Sequence, residues 1–128
     1  MLIHDIVFWG CFGMLVEVSF TAMRDLIRKK QLNLMGHTSL WMFPVYALGL
    51  SYGFDFIKYL IEDDMTRYLT YPLWIWSVEL AIGIPTTARG IRIWDYGYLP
   101  RRLHWRRIIS FAHYPLWVGF GILVELIK

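Results

Sequence analysis

From Phe8 to Ala22 the chain is apolar enough to enter a bilayer, apart from one carboxylate, Glu17. A second such stretch, Leu73 to Gly83, carries Glu79 in the same setting. An ionised acid inside hydrocarbon costs several kcal/mol unless it is paired, protonated or turned towards a polar cavity. Two acids in equivalent places therefore require the remaining elements to house a polar site. That requirement constrains the fold more than any other feature of the chain.

Of the 128 residues, 57% are hydrophobic and only 18% charged, and the apolar residues fall in blocks rather than in the spread pattern of a soluble domain. Each block is about 20 residues long, the length that crosses about 30 Å of hydrocarbon as a helix. The expected class is all-α: a polytopic membrane four-helix bundle in a single transmembrane domain over 1–128. Helices are expected at about 4–24, 39–61, 68–90 and 108–127, with an interfacial segment at 91–107. Lipid offers no partner for a free N–H or C=O, so each span must be helical. The seven Trp and eight Tyr suit interfacial anchoring. Cys11 is the single cysteine and lies in the first apolar block, which excludes an internal disulfide. No cleavable signal peptide is expected, because His4 and Asp5 precede the first block and no Lys or Arg does.

Orientation follows from the connections. The first holds Arg24, Arg28, Lys29 and Lys30, and the third holds Arg89, Arg92, Arg101, Arg102, Arg106 and Arg107. The second carries Glu62, Asp63 and Asp64 against Lys58 and Arg67. Connections one and three are expected in the cytoplasm, with both termini outside. The net charge of +3 thus reads first as topology.

Spacing places the acids on stripes of small residues. Gly10, Gly13, Glu17 and Thr21 share a face of the first helix, and Glu79, Gly83, Thr86 and Gly90 share one on the third. Threonine hydroxyls, Thr21 and Thr87 among them, could hydrogen-bond a carboxylate. Ser39 or Thr38 is expected to cap the second helix. Pro44, Pro85 and Pro115 are expected to interrupt backbone bonding and free a carbonyl beside the site, that of Leu40 in the case of Pro44. His113, Trp117, Gly121 and Glu125 recur at every fourth position of the last helix, and Glu125 is expected at the outer interface.

From Ile91 to Arg107 basic and aromatic residues alternate, with Asp95 as the lone acid. This segment reads as an element at headgroup level, with Arg92, Arg101, Arg102 and Arg106 meeting lipid phosphates. Nucleic acid is not the expected partner. An acid-bearing helix followed by a proline-bearing helix occurs twice in the same orientation, Phe43-Pro44-Val45-Tyr46 being echoed by Tyr114-Pro115-Leu116-Trp117. That pattern would be a parallel 2+2 repeat about an axis along the membrane normal.

The stretch Gly36-His37-Thr38-Ser39-Leu40-Trp41-Met42-Phe43-Pro44-Val45-Tyr46-Ala47-Leu48-Gly49 carries a resemblance, together with Ile93-Trp94-Asp95-Tyr96 and the Gly-x-x-x-Glu of the first helix. They resemble the small four-pass membrane family labelled ABC-transporter type IV (CmpB-like), over most of the span from Gly13 to Glu125. That family often has Ser where this chain has Gly97, and Gly-Trp ahead of the second acid where this chain has Trp74-Ile75-Trp76. The resemblance implies four membrane helices with two acids inside them. Since the chain has no phosphate-binding Gly-rich loop, any ATPase implied by the label would be a separate partner.

The expected function is movement of a small ion or solute at Glu17 and Glu79, with Thr21, Thr87 and Tyr46 in the site and Pro44, Trp94, Asp95, Tyr96 and Pro115 gating or bordering it. Four helices enclose little space, so a pore would need a homodimer. The bland alternative has each acid hydrogen-bonded to a Thr, Tyr or Trp, or paired with Arg24 or Arg89, and serving packing alone. The second function is lipid binding or interaction through the basic–aromatic segment, and the third is modification of a lipid. No nucleophile–base spacing supports catalysis, the residues name no cofactor, and His37 and His104 lack partners for a metal.

Overall fold

The computed structural model describes residues 2–128, and among these the chain is mostly helical with one small two-stranded sheet. The helices are α1 (Leu2–Lys29), α2 (Met42–Leu48), α3 (Phe54–Leu60), α4 (Asp64–Ala88) and α5 (Tyr114–Ile127), with a π-helical stretch at Gly49–Gly53 between α2 and α3. Strands β1 (His104–Trp105) and β2 (Ile109–Ser110) pair antiparallel, His104 opposite Ser110 and Trp105 opposite Ile109. The chain divides into two compact units at Phe56/Ile57.

In the first unit, α1 packs against α2. The helix outruns its expected end at 24, because Arg24, Arg28 and Lys29 are good helix formers and cations suit a helix C-terminus. It is the one helix among the described residues both long and apolar enough to cross a membrane by length and composition. The small-residue stripe is its packing face. A methyl at Gly10 would sit 2.5 Å from the Phe43 ring, and one at Gly13 would overlap the Tyr46 ring.

The second expected helix differs from expectation in two ways. Its first α-helical residue is Met42, with Trp41 at the N-cap and no side-chain cap; Ser39 instead closes a turn, its carbonyl accepting the Met42 N–H at 2.9 Å. Pro44 therefore lies in the first turn, where its missing N–H has no intrahelical partner to lose. The Leu40 carbonyl is not freed, since it accepts the Phe43 N–H at 3.1 Å. The helix also loosens to π geometry over Gly49-Leu50-Ser51-Tyr52-Gly53, where two glycines lower helix propensity.

The second unit is built on α4 and α5, which run antiparallel: Gly121 lies against Tyr71, and Glu125 reaches Arg67. α4 starts at Asp64 rather than 68, capped by Asp63, whose carboxylate accepts the Thr66 N–H at 2.8 Å. Despite its 25 residues it does not reach the hydropathy of a membrane span, with Tyr68, Tyr71, Pro72, Trp74 and Trp76 in its sequence. Pro115 stands in the first turn of α5 and, like Pro44, frees no carbonyl. Among the described residues, Pro72 and Pro85 are the prolines that lie beyond the first turn of a helix.

The expected helix at 108–127 is shortened to 114–127, because 104–110 form the β1–β2 hairpin and Phe111–His113 a 3-10 turn. At 1.5 Å per residue α5 is about 21 Å long, less than the hydrocarbon thickness of about 30 Å. The 91–107 segment is likewise not a free interfacial element. The Trp94 indole N–H donates to the Ile108 carbonyl at 2.8 Å, and the Tyr96 N–H to the Arg107 carbonyl at 3.1 Å, folding it back on the hairpin.

Glu125 was expected at an interface but is enclosed with Arg67, the two side chains being 9% and 4% exposed. The Arg67 guanidinium donates to Glu125 at 2.7 Å, to Asp64 at 2.7 Å and to the Ile61 carbonyl at 2.9 Å. Removing one member of such a pair strands a buried charge, at about 3–5 kcal/mol. Glu125→Leu should accordingly lower the thermal midpoint in detergent sharply. Arg67→Leu/Glu125→Leu should recover most of that loss; a double variant as unstable as the sum of the singles would show the pair to be uncoupled.

Candidate functional site

Glu17 lies in the first unit and Glu79 in the second, and each of these two carboxylates is met by a tyrosine. In the first unit, Tyr46 on α2 donates its phenol proton to Glu17 Oε2 on α1 at 2.8 Å. Gly13 lets the Tyr46 ring lie against the α1 backbone, which brings the hydroxyl up to the acid one turn further on. Glu17 and Tyr46, both expected in the site, are thus brought together.

Thr21 serves a different purpose. Its hydroxyl accepts the His37 N–H at 2.7 Å and lies 3.1 Å from both the Val18 and His37 carbonyls. Gly36 rides directly on the Val18 carbonyl, where any side chain would collide. Thr21 therefore clamps the Gly36-His37 segment to α1 and sets the entry of the chain into α2. Arg24 turns to Asp25 at 3.3 Å and to His37 Nε2 at 3.4 Å.

In the second unit, the Tyr96 hydroxyl donates to Glu79 Oε2 at 2.7 Å. Tyr96 comes from the connection and not from the helix that follows, so the two acids are served from non-equivalent places. Gly83, one turn beyond Glu79, leaves room for Ile108 and the Trp94 ring, and this close approach seats the 94–96 segment beside the acid. Thr87 bonds back to the Gly83 carbonyl at 2.6 Å. Thr86 does the same to Ile82 at 2.8 Å.

Beyond Tyr96 lies a cluster that the sequence reading had not assembled. The buried His113 ring packs 5.2 Å from Tyr96, its Nε2 lies 3.2 Å from the Tyr98 hydroxyl, and its Nδ1 bonds Ser110 Oγ. His113 shares its helical period with Trp117, Gly121 and Glu125; its partners come from the connection, which periodicity does not reach. Ser110 is fully enclosed, so this Ser–His contact offers no open nucleophile. Among the described residues no group of His, Cys, Asp or Glu side chains forms a metal site.

Asp95 is held by an arginine. Arg107 grips it with Nε at 2.7 Å to Oδ1 and Nη2 on Oδ2, while Oδ1 also accepts the Gly97 N–H at 2.7 Å. Of the arginines expected at headgroups, Arg92 leans on the Arg107 carbonyl at 3.5 Å, and Arg101, Arg102 and Arg106 are exposed. Pro44 and Pro115 are exposed on their helices. No protein-family model matches the chain, and no solved structure matches it.

The Arg107 guanidinium, followed by the Gly97 N–H, holds the Asp95 carboxyl below its ordinary value of 3.8. A group depressed in the folded state adds stability above its unfolded value and loses it as pH falls through the folded one. Asp95→Asn should thus lower the melting midpoint at pH 7, with the gap to wild type closing below about pH 3.8. A gap independent of pH between 7 and 3 would remove the ion pair from the stability of this turn.

Proposed function

We propose that this chain is a multi-pass membrane protein whose Glu17 and Glu79 form polar stations for a small cation, a proton included, or a cationic solute. The observation that carries the reading is the pairing of each mid-helix acid with one phenol, Tyr46 at 2.8 Å and Tyr96 at 2.7 Å. A phenol donor stabilises a carboxylate in an apolar setting without neutralising it, as an arginine would. The acid keeps its capacity to take up a cation and release it. Intramembrane acids arranged in this way are the usual mark of an ion path.

The finer topology belongs to the same proposal: four spans, both termini outside, and a homodimer where a pore is required. α1 supplies the span-length helix, and the apolar Phe111–Ile127 supplies a shorter one. The division into two compact units, each with one acid-bearing long helix, supports the 2+2 repeat. The resemblance to the CmpB-like family agrees with this reading and leaves any ATPase to a partner. Lipid binding without transport is the second reading, favoured by the exposure of Arg101, Arg102 and Arg106 on one connection.

Purified protein in liposomes should pass a small cation or protons down a gradient. Glu17→Gln and Glu79→Gln should each reduce flux by at least tenfold. Tyr46→Phe and Tyr96→Phe should leave flux present but reduced, since each acid then lacks the phenol that orients it. Flux indifferent to all four substitutions would sink the proposal.

A further inference from the structure

The β1–β2 hairpin turns on two arginines in a conformation that arginine disfavours. Arg106 has φ 50° and Arg107 φ 61°, and the Ile108 N–H closes the turn on the Trp105 carbonyl at 2.9 Å. Positive φ at both central residues is the demand of a type I′ turn, met elsewhere by Asn-Gly or Gly-Gly. A Cβ in the left-handed region crowds the following carbonyl, so each arginine here is strained. Strain of this kind persists where the surroundings enforce it and collects at functional sites.

Arg107 accounts for its own position. It holds Asp95, and its carbonyl takes the Tyr96 N–H, so its charge and backbone are both committed to the connection. Arg106 has no such reason. It is exposed, with its guanidinium 4.8 Å from the centre of the Trp105 ring, and Trp105 is itself 40% exposed. Arg101 and Arg102 are exposed on the 3-10 turn (Arg101–Leu103) that leads into β1. The one acid of the connection, Asp95, is occupied by Arg107 and so does not oppose an anion at the tip.

We propose that the hairpin tip is an anionic-headgroup clamp, in which Arg106 stacked on Trp105, with Arg101 and Arg102, grips the phosphate of an anionic lipid in the bilayer around the protein. The stacked guanidinium presents its free edge to a phosphate in the planar geometry that suits two oxygens. An exposed indole such as that of Trp105 is the side chain that prefers the membrane–water interface. The clamp rests on the membrane reading above and not on transport, so the flux and the lipid measurements fail independently.

The test uses the full chain, extracted from membranes of equal phosphatidylglycerol and phosphatidylcholine, with the co-purifying lipid ratio read by mass spectrometry. Wild type should retain phosphatidylglycerol in excess, and each neutralised arginine among Arg101, Arg102 and Arg106 should reduce that excess about fivefold. Arg106→Gly is the deciding variant. It should raise the melting midpoint by a few degrees, because glycine relieves the left-handed strain, while the lipid excess falls. A higher midpoint with the excess unchanged would overturn the clamp and leave the turn a structural accident. An excess absent from wild type would overturn it equally.

Discussion

A carboxylate in an apolar helix must find a partner, and in this protein each of two finds a tyrosine hydroxyl. The choice of phenol over guanidinium matters. An arginine would cancel the charge and make the contact a fixed strut, as Arg67 does for Glu125. A phenol leaves the acid ionisable while still meeting it with a hydrogen bond. The molecule thus contains both kinds of contact: Glu125 is met by a guanidinium, and Glu17 and Glu79 each accept from a tyrosine hydroxyl.

Glycine makes these contacts reachable. Tyr46 approaches Glu17 across Gly13, and Tyr96 is seated beside Glu79 by the packing of Trp94 and Ile108 over Gly83. Gly121 lets the Tyr71 ring lie flat on α5, which brings Arg67 and Glu125 together one turn away. In every case a small residue sits about one helical turn from an acid and admits an aromatic ring from the facing segment. Dispersion contact over that ring area, rather than the hydrogen bond, supplies most of the packing energy.

The connection between α4 and α5 is more ordered than its composition suggests. Its aromatic and basic residues divide by function. Trp94, Tyr96 and Tyr98 turn inward to Ile108, Glu79 and His113, while Arg101, Arg102, Trp105 and Arg106 remain exposed. The Asp95–Arg107 pair is the hinge of that division, holding the inward arm to the hairpin. A basic–aromatic alternation therefore encoded two surfaces and not one amphipathic strip.

The acids, the glycine stripes and the apolar reach of α1 were all legible in the chain itself, because each is a matter of composition and period along one helix. Glu17 with Tyr46 was legible too, as members of one proposed site. What the chain could not announce was which residues of one segment meet those of another. Thr21 clamping Gly36-His37, Tyr96 serving Glu79, and Arg67 enclosing Glu125 are all contacts between residues more than a dozen positions apart, and no period links them. Nor could it show that Pro44 and Pro115 open rather than interrupt their helices, since a proline is harmless or disruptive according to where the first turn falls. Side-chain type and spacing decide what a helix face is made of; only the folded chain decides what that face touches.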